Sequence, residues 1–378
     1  MTKNQKILVL GASGKTGNAT AMELLKKGEP VRAFVRRIDN RSDALKAAGA
    51  EIFKGELSNF EDISNALVGV DKAYFVVPWV PDQMHIAATF AVAAAQSDLK
   101  LIVTITQWLG QPQHPSPATR QSYLSDQIFD MVPGVDVIKV NTGWFADNYL
   151  QPELLAMVTQ LGMFPFPLGD GKTAPVSYED IGRVAAEALV NPVPYIGKTI
   201  RPTGPKLMSP QDLAESFCRV TGRKVKYDNI SEKLFLKSLQ YMKIPVHLQA
   251  QVRRYVEDYR RGSFEIGTPN DVVLEMTGKP AEDFDTIIRR YIKKHDDVTR
   301  PTFANKLKAI RGFIKLVFTG AVDLDKLEKD RGYPILKDPI YSIDYTPWLQ
   351  SHGEQHSVSL RFSINVLKSR PITLQTRG

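Results

Sequence analysis

The N-terminal stretch Lys6-Ile-Leu-Val-Leu-Gly11-Ala-Ser-Gly14-Lys-Thr-Gly17 gives the first indication of the architecture. Its apolar run is typical of a strand buried on both faces, and helical periodicity follows over residues 18–27. A tight turn between strand and helix needs residues without a Cβ, so that the backbone can approach a pyrophosphate at the positive end of the helix. The spacing therefore predicts a phosphate site. The alternative is a glycine-rich turn without a ligand.

The end of the second predicted strand indicates which dinucleotide binds. Residues 31–35 form a strand-like run that ends in Arg36 and Arg37, and the next acidic residue comes only two positions later. An acidic residue at this point would bind the ribose 2′-hydroxyl of NAD, whereas arginine suits a 2′-phosphate. We therefore expect NADP(H). The alternative is that these arginines are solvated surface charges.

Strand-like runs continue along the first part of the chain, with helical patterns between them. They cover residues 50–53, 72–77, 101–105 and 135–140. Strands that alternate with helices predict an α/β fold, a doubly wound parallel sheet of the Rossmann type. After residue 150 the chain becomes mainly helical and charged, which indicates a smaller second lobe. Ser209-Pro-Gln-Asp212 predicts a helix start there.

Composition excludes several classes of protein. Cys218 is the only cysteine in 378 residues, which excludes a disulfide scaffold and a cysteine-based zinc site. We expect no metal, no integral membrane segment and no signal peptide, and hence a cytoplasmic protein. The net charge is +8, of which +6 falls on residues 300–378, so the near-neutral body argues against a nucleic-acid-binding surface.

The stretch 301–318 predicts a basic amphipathic helix in this C-terminal extension. Its apolar positions recur at helical spacing and lysine or arginine lies between them. The favoured interpretation is that the apolar face docks on the protein body. The alternative is that the helix lies on an anionic membrane surface. The apolar positions are Phe303, Leu307, Ile310, Ile314, Val317 and Phe318.

Five motifs together resemble the NmrA-like family of atypical short-chain dehydrogenases/reductases. Beside the glycine turn and Val35-Arg-Arg37, they are Gly55-Glu-Leu57, Gly69-Val-Asp71 and Asn141-Thr-Gly-Trp-Phe-Ala-Asp-Asn148. The resemblance covers roughly residues 5–295. A segment at 176–181 resembles the one that precedes a helix returning to the main domain of that family.

The resemblance implies three regions. Residues 1–150 are expected to form the NADP-binding domain, with 175–200 returning to it; residues 151–299 form the substrate lobe, and 300–378 an extension. The glycine motif, the arginines and the resemblance together predict the cofactor-binding residues Gly11, Ser13, Gly14, Lys15, Thr16, Gly17, Arg36, Arg37, Glu56, Leu57, Val77, Pro78 and Thr106.

The chemistry of short-chain dehydrogenases depends on a Tyr-x-x-x-Lys pair, which this chain lacks. Four residues after Tyr123 stands Gln127, and Tyr123 itself aligns with the lysine of many relatives. Tyr123 is the best remaining proton donor; the alternative is a packed aromatic residue. Because an electron-poor acceptor needs little help from a protein acid, a quinone or enone is a better candidate than a simple ketone.

An aromatic-rich set near the predicted strand ends is nominated as the acceptor pocket, although each member is individually more typical of a core. The set is Trp79, Gln107, Trp108, Trp144, Phe145 and Phe164. Asp147 and Asn148 are expected to bond local backbone. The first functional hypothesis is an NADPH-dependent oxidoreductase acting on a small molecule. The second is a catalytically silent NADP(H) sensor with a regulatory protein partner. A homodimer is compatible with either.

Overall fold

The computed structural model describes residues 6–353 and 358–360. Its strands are β1 (Lys6–Leu10), β2 (Val31–Val35), β3 (Glu51–Lys54), β4 (Val70–Val76), β5 (Leu101–Gln107), β6 (Asp136–Thr142), β7 (Met163–Phe166), β8 (Lys198–Ile200), β9 (Lys226–Asn229) and β10 (Val358–Leu360). The main sheet has the order β10-β8-β6-β5-β4-β1-β2-β3. Its strands are parallel except β10, which runs antiparallel to β8. The predicted doubly wound α/β fold is confirmed.

The helices alternate with the strands at first and then dominate. They are α1 (Lys15–Lys26), α2 (Asn40–Ala47), α3 (Phe60–Leu67), α4 (Gln83–Ala95), α5 (Pro117–Asp130), α6 (Pro152–Ala156), α7 (Tyr178–Val190), α8 (Pro210–Thr221), α9 (Glu232–Tyr241), α10 (Val246–Arg260), α11 (Val272–Thr277), α12 (Phe284–Lys294), α13 (Asp296–Thr299), α14 (Phe303–Phe318), α15 (Leu324–Asp330) and α16 (Thr346–Gly353). Short 3₁₀ turns cover Ala146–Tyr149, Val193–Tyr195 and Ser342–Asp344, and a π turn covers Met157–Leu161.

Two apolar layers enclose the sheet. Helices α1, α7 and α11 pack on one face, and α3, α4 and α5 on the other. Helices α1 and α7 approach closely because Gly182 has no side chain: a Cβ there would lie 2.6 Å from the Cβ of Ala19. Helix α7 and strand β8 thus belong to the sheet domain, although they follow residue 150. This places the turn after β6 and the start of α7 beside the glycine turn.

The second lobe has its own aromatic core. Strands β7 and β9 form a small parallel sheet; α8 packs on it, and α9, α10 and α12 complete the same apolar core. Helix α8 begins as predicted, with Ser209 and Asp212 forming a capping box. The carboxyl ends of the main strands face this lobe, so the cleft between the two is where a ligand of such a sheet binds.

The C-terminal extension packs against the body at two places. Helix α14 lies on the second lobe, and the segment 340–353 lies against the loop that follows β5. The Nε1 of Trp348 donates to the Trp108 carbonyl at 2.7 Å, and the Ser342 hydroxyl donates to the Leu109 carbonyl at 2.9 Å. The extension is therefore part of the folded body over its described length.

The favoured interpretation of α14 is wrong in one respect. The helix does dock, but with the face formed by Asn305, Ala309 and Leu316, which are buried. The six apolar positions expected to dock, Phe303, Leu307, Ile310, Ile314, Val317 and Phe318, are instead exposed to solvent. The physical reason is that α14 has two further large apolar residues, Phe313 and Leu316, on its other side, and these line the contact with the second lobe.

Candidate functional site

The glycine turn after β1 leaves a helix N-terminus open. Gly11 has a left-handed φ of +69°, and its carbonyl accepts a 2.8 Å hydrogen bond from the Gly14 amide. Gly14 caps α1 without any side chain, and the first turn of α1 contains no acidic residue. The N–H groups and the positive end of the helix dipole are therefore free to bind an anion such as a pyrophosphate.

The third glycine of the motif is required by close packing. A Cβ on Gly17 would lie 2.3 Å from the Gly11 carbonyl oxygen and 2.8 Å from its carbon. Any other residue would force the turn open, because both of these atoms belong to the backbone. Thr16 beside it is buried, whereas Ser13 and Lys15 reach solvent.

Two exposed arginines follow β2. Arg36 and Arg37 make no ion pair with any residue in the described part of the chain. Arg41, the third arginine of this edge, is held by Asp39, with an Nη2–Oδ2 distance of 2.6 Å, and this pairing lowers the pKa of Asp39 to about 2. The edge of the cleft thus offers two guanidinium groups to a phosphate, while the charge of Arg41 is already matched.

Lys15 lies over an aromatic ring at the mouth of the turn. Its Nζ is 4.9 Å from the centre of the Tyr178 ring, at the start of α7. Desolvation in the cleft lowers the pKa of Lys15, and the nearby charge of Asp147 raises it. Lys15 is also the first residue of α1, so its cation lies beside the helix N-terminus where a pyrophosphate would bind.

Asp147 has a buried carboxylate. It lies in the turn that follows β6 and has no exposed surface, and within residues 6–353 and 358–360 neither carboxylate oxygen has a hydrogen-bond partner. Burial raises its pKa to about 7; the charge of Glu179 raises it further, and Lys15 opposes the shift. The expectation that the Asp147 side chain bonds local backbone is wrong, because burial leaves its carboxylate facing the cleft residues Lys15 and Glu179; the bond at this turn runs from the Gln151 side chain to the Asp147 main-chain carbonyl at 2.9 Å.

We expect the stability of the protein to depend on pH through Asp147. Its pKa is about 7 when folded and 3.8 by its ordinary value, so the folded state binds the extra proton between these limits. The stabilisation from this extra proton is present at low pH and is lost as the pH rises towards 7. From pH 5 to pH 8 the free energy of unfolding of the wild type should therefore fall by about 2–3 kcal/mol more than that of Asp147→Asn, at 1.36 kcal/mol per pKa unit.

Urea unfolding at the two pH values measures this difference. Asp170→Asn is the matched control, because Asp170 is exposed and its substitution should leave the pH dependence unchanged. If the free energy of unfolding changes with pH by the same amount in Asp147→Asn and in the wild type, the assignment of a protonated Asp147 is wrong.

The carboxyl ends of β5 and β6 hold a second group of buried polar atoms. Thr106 accepts a 2.9 Å hydrogen bond from Asn141. The Gln107 amide contacts the Tyr255 hydroxyl, and this contact lowers the pKa of Tyr255 against the stronger effect of burial, which raises it well above the usual value. The Nε1 of Trp144 has no hydrogen-bond partner among the residues that the structure describes. A buried donor of this kind needs a partner.

Tyr123 lies on α5 and is half-buried. Burial raises the pKa of Tyr123, and the nearby Tyr345 of the extension and Asp126 raise it further. Its hydroxyl is therefore protonated at neutral pH and can donate a proton, but it lacks the neighbouring lysine that would make it a base.

The remaining predicted cofactor residues lie along the same edge. Glu56 is exposed and Leu57 is half-buried just after β3, where the Glu56 amide donates to Asp62 at 2.8 Å. Val77 and Pro78 are half-buried just after β4. The predicted binding residues thus follow β1 to β5 at their carboxyl ends, as a bound dinucleotide requires.

The aromatic residues predicted for the pocket are distributed between core and cleft. Trp108, Trp144 and Phe164 are buried in the core of the second lobe. Trp79 is half-buried and packs edge-on against Tyr255 at 5.4 Å. Phe145 packs against Tyr178 at 4.9 Å, beside Lys15.

Sequence reasoning missed an apolar cavity between the second lobe and α14. Its principal walls are Leu154, Met157, Phe166, Phe235, Phe313 and Leu316, and Asn148 and Gln151 border it. The paired apolar positions in α6 and α14 are a helical signal, but only the tertiary packing brings them together. Among residues 6–353 and 358–360, no cluster of three or more acidic, histidine or cysteine side chains is suited to a metal.

Comparison with known proteins finds one matching family model and several similar proteins. The model of the NmrA-like family matches residues 3–103 and 137–270, which is more than half of the chain. An NAD(P)H azoreductase of Xenophilus azovorans is 29% identical over 282 residues, covering 74% of this chain and 95% of that protein.

Two solved structures share the fold. The Escherichia coli NADPH-dependent quinone oxidoreductase complexed with NADPH matches with a TM-score of 0.66 at 22% identity, over 75% of this chain and 99% of that one. NmrA, a negative transcriptional regulator in complex with NADP, matches with a TM-score of 0.63 at 17% identity, over 78% and 98%.

Proposed function

Because this chain belongs to the NmrA-like family, we propose that it is an NADPH-dependent oxidoreductase that reduces a small, electron-poor acceptor such as a quinone or enone. The observation that carries the cofactor assignment is the pairing of an open helix N-terminus after Gly14 with the two unpaired guanidinium groups of Arg36 and Arg37. The first suits the pyrophosphate and the second suits the 2′-phosphate.

Different residues of the cleft bind different parts of the dinucleotide. The turn from Gly11 to Gly17 and Lys15 hold the pyrophosphate, and the segment after β4 supports the nicotinamide end. The amide of Gln107, at the carboxyl end of β5, offers a donor and an acceptor to the nicotinamide carboxamide. When bound, NADPH supplies the hydride; the protein supplies orientation and a cleft from which water is largely excluded.

An electron-poor acceptor follows from what the cleft offers in acid catalysis. Tyr123 has no lysine partner, and its raised pKa makes it a proton donor of modest strength. Reduction of a simple ketone needs strong proton donation as hydride arrives, whereas a quinone or an activated alkene accepts hydride more readily. The relatives named azoreductase and quinone oxidoreductase act, by their names, on acceptors of this electron-poor kind.

A second candidate function is a catalytically silent NADP(H) sensor that acts through a protein partner. The missing Tyr-x-x-x-Lys pair favours it, and NmrA, a negative transcriptional regulator whose structure contains NADP, has the same fold. The two functions share the cofactor site and differ only in whether an acceptor is reduced.

The test is a set of steady-state assays on the purified full chain with NADPH and NADH. Quinones, enones, azo dyes and simple ketones are offered in turn, and loss of reduced nicotinamide absorbance is followed. Turnover with NADPH and electron-poor acceptors, but not with simple ketones, supports the proposal. Tight NADPH binding without turnover on any acceptor would favour the sensor instead.

We expect Tyr123→Phe to lower kcat for the enone at least about 10-fold and to leave NADPH affinity within about twofold, because proton donation contributes to turnover and not to dinucleotide binding. Tyr345→Phe is the matched control, since this second tyrosine lies close to Tyr123 on the extension. An unchanged kcat in Tyr123→Phe would remove Tyr123 from the mechanism and assign the proton to water.

A further inference from the structure

Helix α14 turns an apolar stripe towards solvent. The six residues that form this stripe, 37–85% exposed, are Phe303, Leu307, Ile310, Ile314, Val317 and Phe318. Their spacing of three or four residues places them on one side of the helix over its whole length. Isolated apolar residues are common on protein surfaces, but a continuous stripe of six marks an interaction surface.

The opposite face of α14 is fixed to the second lobe. Asn305, Ala309 and Leu316 are buried, and the Asn305 side chain donates to the Arg300 carbonyl at 3.0 Å. At the other end of the helix, the Lys237 ammonium group donates to the Val317 carbonyl at 2.5 Å. The helix is therefore held at both ends with the stripe pointing outward, and it does not need to rotate to present it.

Cations border the stripe on both sides. At 3.6 residues per turn, Lys306 lies along one margin and Arg311 and Lys315 along the other, with Lys308 further round. All four are exposed, and none forms an ion pair with a residue in the described ranges. The helix from Phe303 to Phe318 contains no acidic residue. The surface is thus apolar at its centre and positively charged at its margins.

We propose that this surface docks in the plane of an anionic lipid membrane. The apolar stripe would enter the boundary between headgroups and acyl chains, and the bordering cations would contact acidic headgroups. Within the described residues, no helix is long and apolar enough to cross a bilayer, so α14 lies on the surface of the membrane and does not span it.

Charge favours a lipid surface over a second copy of the chain. Two α14 stripes packed against each other would bring lysine and arginine margins together, without acidic residues from either helix to balance them. Like charges at a shared margin oppose such pairing. An anionic bilayer matches the apolar centre and the cationic margins at the same time.

The experiment is flotation of the full chain with vesicles of phosphatidylcholine, with and without phosphatidylserine. We expect at least about 10-fold tighter binding to the vesicles that contain phosphatidylserine, and loss of most of that binding at high salt. Ile310→Asp with Ile314→Asp should abolish binding. Lys306→Gln with Arg311→Gln and Lys315→Gln should remove the preference for phosphatidylserine.

Val193→Asp is the matched control, because Val193 is 82% exposed and lies outside α14. NADPH binding should be unchanged in all variants, which separates failure of docking from failure of the fold or of the cofactor site. Equal binding to both kinds of vesicle would overturn the proposal. So would a dimer that Ile310→Asp with Ile314→Asp dissociates, in a protein that binds no vesicles.

Discussion

Replacing Arg36 and Arg37 together with alanine is expected to weaken NADPH binding at least about 100-fold, while the affinity for NADH changes less than about threefold. Hydrogen bonds to a charged group contribute about 1.5–3 kcal/mol each, and two guanidinium groups would lose theirs at once. NADH has no 2′-phosphate and should lose little. Titration of the purified protein by nicotinamide fluorescence measures both affinities.

The control for this experiment removes the same amount of charge elsewhere on the sheet domain. Lys46→Ala with Lys100→Ala takes away two exposed cations. Its NADPH affinity should fall less than about twofold. If the arginine variant loses affinity for NADPH and NADH equally, the assignment of the arginines to the 2′-phosphate is wrong. The arginines would then stabilise the fold or contribute only to the overall positive potential of the cleft.

Gly17→Ala is expected to abolish binding of either dinucleotide and to destabilise the protein. The added Cβ would meet the Gly11 carbonyl oxygen at 2.3 Å, and the turn can relieve this contact only by opening. Opening moves the N-terminus of α1 away from its position after β1, where the pyrophosphate is expected to bind. Overpacking of this kind costs about 1–3 kcal/mol. Thermal unfolding and dinucleotide titration report the two effects separately.

Gly320→Ala is the matched control, because a Cβ there meets nothing within 4 Å. Its melting temperature and NADPH affinity should equal those of the wild type. A Gly17→Ala protein that binds NADPH normally would show that the turn does not need the close approach seen in the structure.

The dinucleotide-binding half of the fold could be predicted from sequence because its signals are local. The apolar run of β1, the glycine spacing after it and the arginines after β2 lie within about 30 residues and follow backbone rules directly. The same holds for the start of α8, where Ser209 and Asp212 satisfy each other within one turn. Such features depend little on what the rest of the chain does.

The features that sequence did not predict depend on distant packing. The periodicity of α14 shows that one face is apolar, but it does not show which face docks. The docked face has Ala309 and Leu316 buried against the second lobe, and only the tertiary packing selects it. The pKa of Asp147 also depends on distant packing. Its neighbours in sequence indicate a local turn, but its pKa is raised by burial among elements far along the chain.

The tertiary arrangement also determines the surroundings of Tyr123. Sequence shows that its lysine partner is absent, but not that Tyr345, more than 200 residues later, comes close to it. The extension thus contributes to the region around the predicted proton donor. No local pattern in residues 340–353 indicates this contact.

The most direct test of NADPH-dependent reduction is an anaerobic single-turnover experiment on the complex of the full chain with NADPH. A quinone is mixed with the preformed complex, and reduced nicotinamide absorbance is followed. We expect one quinone to be reduced per bound NADPH, and we expect the Arg36→Ala, Arg37→Ala variant not to form the complex at the same NADPH concentration. A tight NADPH complex whose absorbance is unchanged by quinones and enones would contradict the oxidoreductase.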